Sequence, residues 1–168
     1  METTPEVLEP TLGVSPQEFV DEWNTMFGGV HRFLVIESFD VDDGTHLIRR
    51  WSDHTFLELE VDAESGELTE AALRGPLKGG TSENLILAFM WFGLVNASNP
   101  EVNLTLEVGA YDPIAEQIGL PPFEGEPPEG FGPFHDDLYR SEGVVGDVLY
   151  VFEEIEPHEY LLTATPAP

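Results

Sequence analysis

The stretch TFLELEVDAESGELTEAALR, residues 55–74, contains the pattern that decides the fold. In its first part, Leu57, Leu59 and Val61 alternate with two glutamates, so the apolar side chains share one face and the acids share the other. A strand with one dry and one wet face is typical of an antiparallel sheet. DAESGE, with Gly66 suited to a positive φ, predicts a hairpin turn into the following strand, ELTEAALR.

Further strands are predicted on both sides of this hairpin. Each is a short run rich in β-branched and aromatic residues and bounded by turn residues. They are RFLVIESF (32–39), THLIRRW (45–51), DVLYVFEEI (147–155) and HEYLLTA (158–164).

Two segments are predicted as the main helices. Residues 15–28 begin with a capping box between Ser15 and Glu18, and a pair of glycines ends the apolar repeat. Residues 82–97 are apolar almost all round and too short to span a bilayer, which takes about 20 residues. They predict a helix packed on the dry face of the sheet, with a buried strand as the alternative, because periodicity does not separate the two.

The region between the second helix and the last strands has mixed signals. NLTLEV (103–108) alternates like a strand, whereas DPIAEQIGL (112–120) predicts a short helix capped by Asp112, with Pro113 at its first position. The Pro/Gly/Glu-rich residues 121–137 predict a linker or a long loop.

These segments predict a single α+β domain over residues 12–164, between flexible tails at residues 1–11 and 165–168. Its sheet is mostly antiparallel, with five to seven strands, and both main helices pack on one face. The predicted core contains Phe19, Trp23, Leu57, Leu59, Leu87, Phe89 and Trp91.

The net charge of −27 comes from 33 Asp and Glu residues against 6 Lys and Arg residues. A surface this negative repels phosphates and anionic lipids, which argues against direct binding to nucleic acid or to a membrane surface. Three explanations are open. The first is solubility, or adaptation to a salty or acid-rich proteome. The second is attraction of a basic partner or of cations. The third is mimicry of DNA, which would block a DNA-binding protein.

The acidic stretch ESFDVDDGTH, residues 37–46, raises the question of a calcium loop. Asp40 and Asp42 fit the first and third positions of an EF-hand, but Gly44 falls at the fifth position and Trp51 at the twelfth. A hairpin turn between two strands is the better interpretation.

No catalytic or metal-ligating residue is assigned, and no cofactor is predicted. The chain has no cysteine, which excludes thiolate catalysis and Cys-based zinc sites. No nucleophile or phosphate-loop signature is present, and the histidines lack metal-ligand spacing. His135 beside Asp136 and Asp137 is the best local cluster, and a solvent-facing loop is its favoured interpretation. The five histidines are His31, His46, His54, His135 and His158.

Two other features deserve interpretation. Arg49 and Arg50 are adjacent on a predicted strand, so their side chains face opposite ways, and structural ion pairing is favoured over ligand contact.

Phe123, Phe131 and Phe134 lie in the Pro-rich loop. They either pin this loop onto the domain or form an exposed aromatic patch for a partner.

LGVSPQEFVDEWN, residues 12–24, is similar to the opening LG-x-[ST]-P-x-x-F-x-x-x-[WF]-N of small exported or lipid-anchored bacterial proteins of uncharacterised function. LILAFMWFGLVNASNP, IAEQIGL and YLLTATP stand in the order of that family's later segments, so the resemblance covers most of residues 12–164. It implies an α+β domain exported on a tether, with no known activity. The chain has no signal pattern and no cysteine for lipidation, so this anchoring requires a segment upstream of Met1, and a cytoplasmic location is expected otherwise.

Three functions follow as hypotheses. The preferred one is a non-catalytic exported binding domain, which predicts a defined groove or an aromatic patch, with a basic protein as one class of partner. A DNA mimic predicts carboxylates in two rows at phosphate-like spacing. A hydrolytic or metal-dependent enzyme predicts a histidine within hydrogen-bond reach of a buried acid, or a metal, in a cleft.

Overall fold

A computed structural model describes residues 10–29, 31–37, 40–42, 46–76, 81–102, 108–122, 128–131 and 137–168. The helices within these ranges are α1 (Pro16–Phe27), α2 (Thr81–Ser98) and α3 (Val108–Ile118). The strands are β1 (Asp40–Asp42), β2 (His46–Arg50), β3 (Phe56–Val61), β4 (Leu68–Pro76), β5 (Arg140–Val145), β6 (Val148–Glu156) and β7 (Glu159–Pro166).

The strands form one sheet in the order β1-β2-β3-β4-β7-β6-β5, and every neighbouring pair is antiparallel. The β3–β4 turn has Gly66 at φ +72°, as predicted. The last strand, β7, lies beside β4 in the middle of the sheet and ends two residues beyond the predicted boundary at residue 164. The predicted α+β class and antiparallel sheet are therefore confirmed.

Helix α1 forms where the capping box predicts it. The Ser15 hydroxyl accepts a hydrogen bond from the Glu18 amide, and the Glu18 carboxylate accepts one from the Ser15 amide, both at 3.1 Å. Its buried side chains, Phe19 and Trp23 among them, point toward α2 and the sheet. At Gly93 in α2, a Cβ would collide with an α1 ring, so this glycine permits the two helices to approach closely.

Residues 82–97 form a helix, so the alternative of a buried strand is wrong. From Leu87 to Asn99 almost every side chain of this segment is buried, because α1 covers one side of the helix and the sheet covers another. Trp91 meets Phe152 of β6 edge-on, with ring centroids 5.0 Å apart. All the predicted core residues are buried except Phe89, which is half-buried against the core.

The strand predicted over residues 32–39 is wrong in its first part, which is a 3-10 helix, Arg32–Leu34. Side chains of α1 form hydrogen bonds with backbone groups of residues 34 and 36, which in a strand would pair with the sheet. Trp23 Nε1 donates to the backbone carbonyl of Leu34, the last residue of this 3-10 helix, at 2.8 Å. The side chain of Asn24 donates through Nδ2 to the Ile36 backbone carbonyl at 3.0 Å and accepts through Oδ1 from the Ile36 backbone N–H at 2.7 Å.

The turn predicted within residues 37–46 falls on residues 43–45, which lie outside the described residues. The strands on either side, β1 and β2, pair antiparallel with Asp42 opposite His46.

Helix α3 begins four residues before the predicted cap at Asp112, and Pro113 lies inside it, so the predicted cap and first position are wrong. The earlier start places Tyr111 in the core, where its ring meets Phe92 of α2 edge-on at 5.3 Å. Val108, the last residue of the predicted strand NLTLEV, belongs to this helix, and residues 103–107 lie outside the described residues.

Strand β5 was not predicted, because its sequence RSEGVV contains few β-formers and a central glycine. Gly143 faces α3, and a Cβ there would collide with the Gln117 carbonyl oxygen. Two hydrogen bonds join the elements: Ser141 Oγ donates to Ile118 O at 2.9 Å, and Gln117 Nε2 donates to Val144 O at 2.7 Å. The close approach of α3 explains the glycine.

Phe131 packs against the domain and anchors residues 128–131 of the Pro-rich segment to it. Its ring lies 5.3 Å from that of Tyr139 and 5.4 Å from that of Tyr160. Phe123 and Phe134, to which the same two interpretations apply, lie outside the described residues. Among the helices of the described ranges, none is long and apolar enough to cross a bilayer.

Candidate functional site

The two adjacent arginines lie on opposite faces of the sheet, as predicted. The Arg49 guanidinium lies over the ring of Trp51, 5.1 Å from its centroid, on the face that the helices cover. Trp51 in turn stacks on Trp23 of α1 at 5.9 Å. Arg50 lies over Phe56 at 5.9 Å on the opposite face, which we call the outer face. Both arginines therefore pack on aromatic rings, and the predicted ion pairing stays a prediction.

The described histidines are dispersed over the fold. His31 lies against Phe89, with ring centroids 4.7 Å apart, and His158 is exposed in the β6–β7 turn. His54 Nδ1 lies 3.6 Å from Glu159 Oε1, and His46 Nε2 lies 3.1 Å from Glu60 Oε1.

His135, Asp136 and Asp137 form the best local cluster in the sequence, with a solvent-facing loop as the favoured interpretation. His135 and Asp136 lie outside the described residues, and Asp137 is exposed.

One cleft, of about 580 Å³, combines defined shape with strong charge, and we call it the acidic cleft. It lies between α1 and the C-terminal end of α2. Glu18, Asp21 and Glu22 line one side of it, at the spacing that places side chains on one helix face. Asn96 and Asn99 are among the residues on the other side.

The end of α2 is held in place by buried polar contacts. The Ser98 and Tyr150 hydroxyls lie 2.9 Å apart, and the Tyr150 hydroxyl donates to Val95 O at 3.2 Å. Burial raises the pKa of Tyr150 to about 12, so this hydroxyl keeps its proton. Asn99 Nδ2 donates to Val145 O at 2.8 Å, which fixes the chain just after the helix. One wall of the acidic cleft is therefore tied to β5 and β6 by buried hydrogen bonds.

The electrostatics of the acidic cleft favour a cation. The last turn of α2 contains no basic residue, and two of its carbonyls, Leu94 O and Val95 O, accept from the Ser98 and Tyr150 hydroxyls. Residues of this helix end line the same cleft as the α1 carboxylates, and none of the described residues lining the cleft is basic. The spacing of the three α1 acids is visible in the sequence, but their proximity to the end of α2 is not.

A second charged cluster lies on the outer face of the sheet. His46, Glu58 and Glu60 each place one potential ligand atom within 4.8 Å of the others. Glu70 of β4 lies directly opposite Glu60. Burial, and then the charge of Glu60, raise the pKa of Glu70 above its ordinary value. No metal ligand was predicted from the sequence, because these contacts depend on the strand register.

Comparison with models of protein families, with curated proteins and with solved structures gave no match for this chain.

Proposed function

We propose that this protein is a non-catalytic binding domain whose acidic cleft receives a lysine or arginine side chain from a basic protein partner. The observation that carries the proposal is that three α1 carboxylates line one cleft whose described lining residues include no basic side chain. Similarity of residues 12–24 to small exported bacterial proteins supports export as part of the same proposal.

The size of the acidic cleft fits this type of ligand. Small-molecule pockets typically measure about 300–1,000 Å³, so this cleft of about 580 Å³ has room for one Lys or Arg side chain. Carboxylates form charge-assisted hydrogen bonds with ammonium and guanidinium groups, which are about twice as strong as neutral ones. A guanidinium can reach two carboxylates at once through its planar fork of donors.

The charge of the whole molecule supports the same class of partner. A net charge of −27 attracts a basic protein over a distance and raises its association rate. DNA mimicry and catalysis stay predictions.

The test uses a fluorescein-labelled hexa-arginine peptide and fluorescence anisotropy in about 0.15 M salt, where long-range attraction is screened. The variant Asp21→Asn/Glu22→Gln removes two cleft charges. Asp53→Asn/Glu64→Gln removes two exposed charges elsewhere and is the matched control. We expect the cleft variant to lose about tenfold in affinity, equivalent to about 1.4 kcal/mol, and the control to lose less than about twofold.

Equal losses in the two variants would show that the peptide responds to net charge alone. The acidic cleft would then have no role in binding, and the proposal would be wrong.

A further inference from the structure

We propose that His46, Glu58 and Glu60 form a binding site for a divalent first-row transition metal ion, and that Zn²⁺ is the ion it fits best. The site lies on the outer face of the sheet and is independent of the acidic cleft. It adds a second, inorganic ligand to the proposed binding function.

The strand register brings the three ligands together. His46 of β2 lies directly opposite Glu60 of β3, and Glu58 lies two residues along the same strand, so all three side chains share one face. Both strands are hydrogen-bonded to a neighbour on each side, which holds the backbone of the site in place.

The distances suit a small metal ion. Two ligands bound to Zn²⁺ at about 2.0–2.1 Å lie about 3.3 Å apart in a tetrahedral site. His46 Nε2 and Glu60 Oε1 are already 3.1 Å apart, and one ligand atom from each residue of the set lies within 4.8 Å of the others. Closing the set around an ion requires the side chains to rotate from these positions. The side chains of His46 and Glu60 are 31% and 42% exposed, so an ion can enter from solvent.

The donor set selects the class of metal. Ca²⁺ and Mg²⁺ prefer oxygen ligands only, whereas an imidazole nitrogen with carboxylates suits Zn²⁺ and related ions. Three protein ligands leave one position of a tetrahedral ion for water.

The neighbourhood of the site also favours a cation. Glu70 of β4 lies directly opposite Glu60, and Glu58 lies on the same face of β3, so three carboxylates crowd together on adjacent strands. Like charges placed directly opposite one another destabilise a sheet. A bound cation relieves this repulsion.

The other histidine–carboxylate contact provides a matched control. His54 lies 3.6 Å from Glu159, but Arg74 Nε lies 3.2 Å from the same carboxylate. The guanidinium already neutralises this carboxylate, so the pair is not expected to hold a metal ion.

The experiment is a calorimetric titration of ZnCl₂ into the full chain, after removal of metals with EDTA and in about 0.15 M NaCl. We expect one Zn²⁺ to bind per chain with an affinity above that of Ca²⁺ or Mg²⁺. His46→Gln and Glu60→Gln should each lose at least about tenfold in affinity, in line with the loss of one coordinating group, whereas His54→Gln should match the wild type. Circular dichroism without metal checks that each variant is folded.

A second measurement uses only the wild-type chain. In ¹H–¹⁵N spectra of the imidazole groups, the His46 signals should shift with added Zn²⁺ before those of the other histidines. The site is disproved if His46→Gln binds Zn²⁺ like the wild type, or if all histidine signals shift together at the same metal concentration.

Discussion

At the scale of single residues, Glu70 shows how the acidic composition affects the folded state. It faces Glu60 across β3 and β4, and its pKa is raised first by burial and then by the charges of Glu60 and Glu58. The fold therefore favours its protonated form. The protonated Glu70 carboxyl group contributes its full stabilisation below pH 4.5, the ordinary pKa of the group. This stabilisation is lost as the pH rises through the raised pKa of the folded state.

Replacing this carboxyl group by a neutral amide should stabilise the protein at neutral pH. We expect Glu70→Gln to raise the free energy of unfolding by roughly 0.2–1 kcal/mol at pH 7, the range for cross-strand pairs. The difference should vanish below about pH 4.5, where the wild-type side chain is also neutral. Urea unfolding in EDTA at pH 4 and pH 7 measures it.

Glu142→Gln is the control for this prediction. Glu142 lies on the same outer face, but Arg140 Nη2 is 3.5 Å from its carboxylate, so removing its charge should give no stabilisation at pH 7. A gain for Glu70→Gln that is equal at both pH values would contradict the explanation by charge.

At the scale of elements, α2 is the helix on which the architecture depends. It packs on α1 and on the central strands β4 and β7, and its last turn is joined to β6 through the hydroxyls of Ser98 and Tyr150. These hydroxyls are buried, so a lost hydrogen bond cannot be replaced freely by water.

The contact between the two hydroxyls can be measured with a double-mutant cycle. We expect Tyr150→Phe to destabilise the protein by about 1 kcal/mol, because the Val95 carbonyl and the Ser98 hydroxyl each lose a partner. Combined with Ser98→Ala, the total loss in chemical unfolding should be smaller than the sum of the two single losses. Strictly additive losses would show that the hydroxyls do not interact.

At the scale of the whole molecule, the dominant property is a net charge of −27 on 168 residues. Self-repulsion on this scale opposes the compact state, and exposed charges repel one another over the Debye length. That length falls from about 30 Å at 0.01 M salt to about 8 Å at 0.15 M.

The melting temperature should therefore rise as salt is added. We expect thermal unfolding in EDTA to shift upward between 0.01 and 0.15 M NaCl, with most of the shift completed in this range because screening is then strong. Choline chloride at equal ionic strength is the control for specific binding of sodium. A melting temperature that is constant or that falls over the series would contradict self-repulsion as a limit on stability.

The sequence by itself determined the elements whose signals are local. The alternation of Leu57 and Leu59 with glutamates predicted an antiparallel strand, and the capping box of Ser15 and Glu18 predicted the start of α1. Both patterns act between residues two to four positions apart, so no knowledge of the rest of the chain is needed.

The tertiary structure alone decided where distant segments meet. Trp23 and Asn24 of α1 hold residues 34–36 outside the sheet, whereas β5 forms by pairing with β6, and its Gly143 leaves room for α3. The acidic cleft and the cluster of His46 with Glu58 and Glu60 likewise join separate elements. Burial and hydrogen bonding between segments override local preferences, and strand order and register are set by the packing of the whole core.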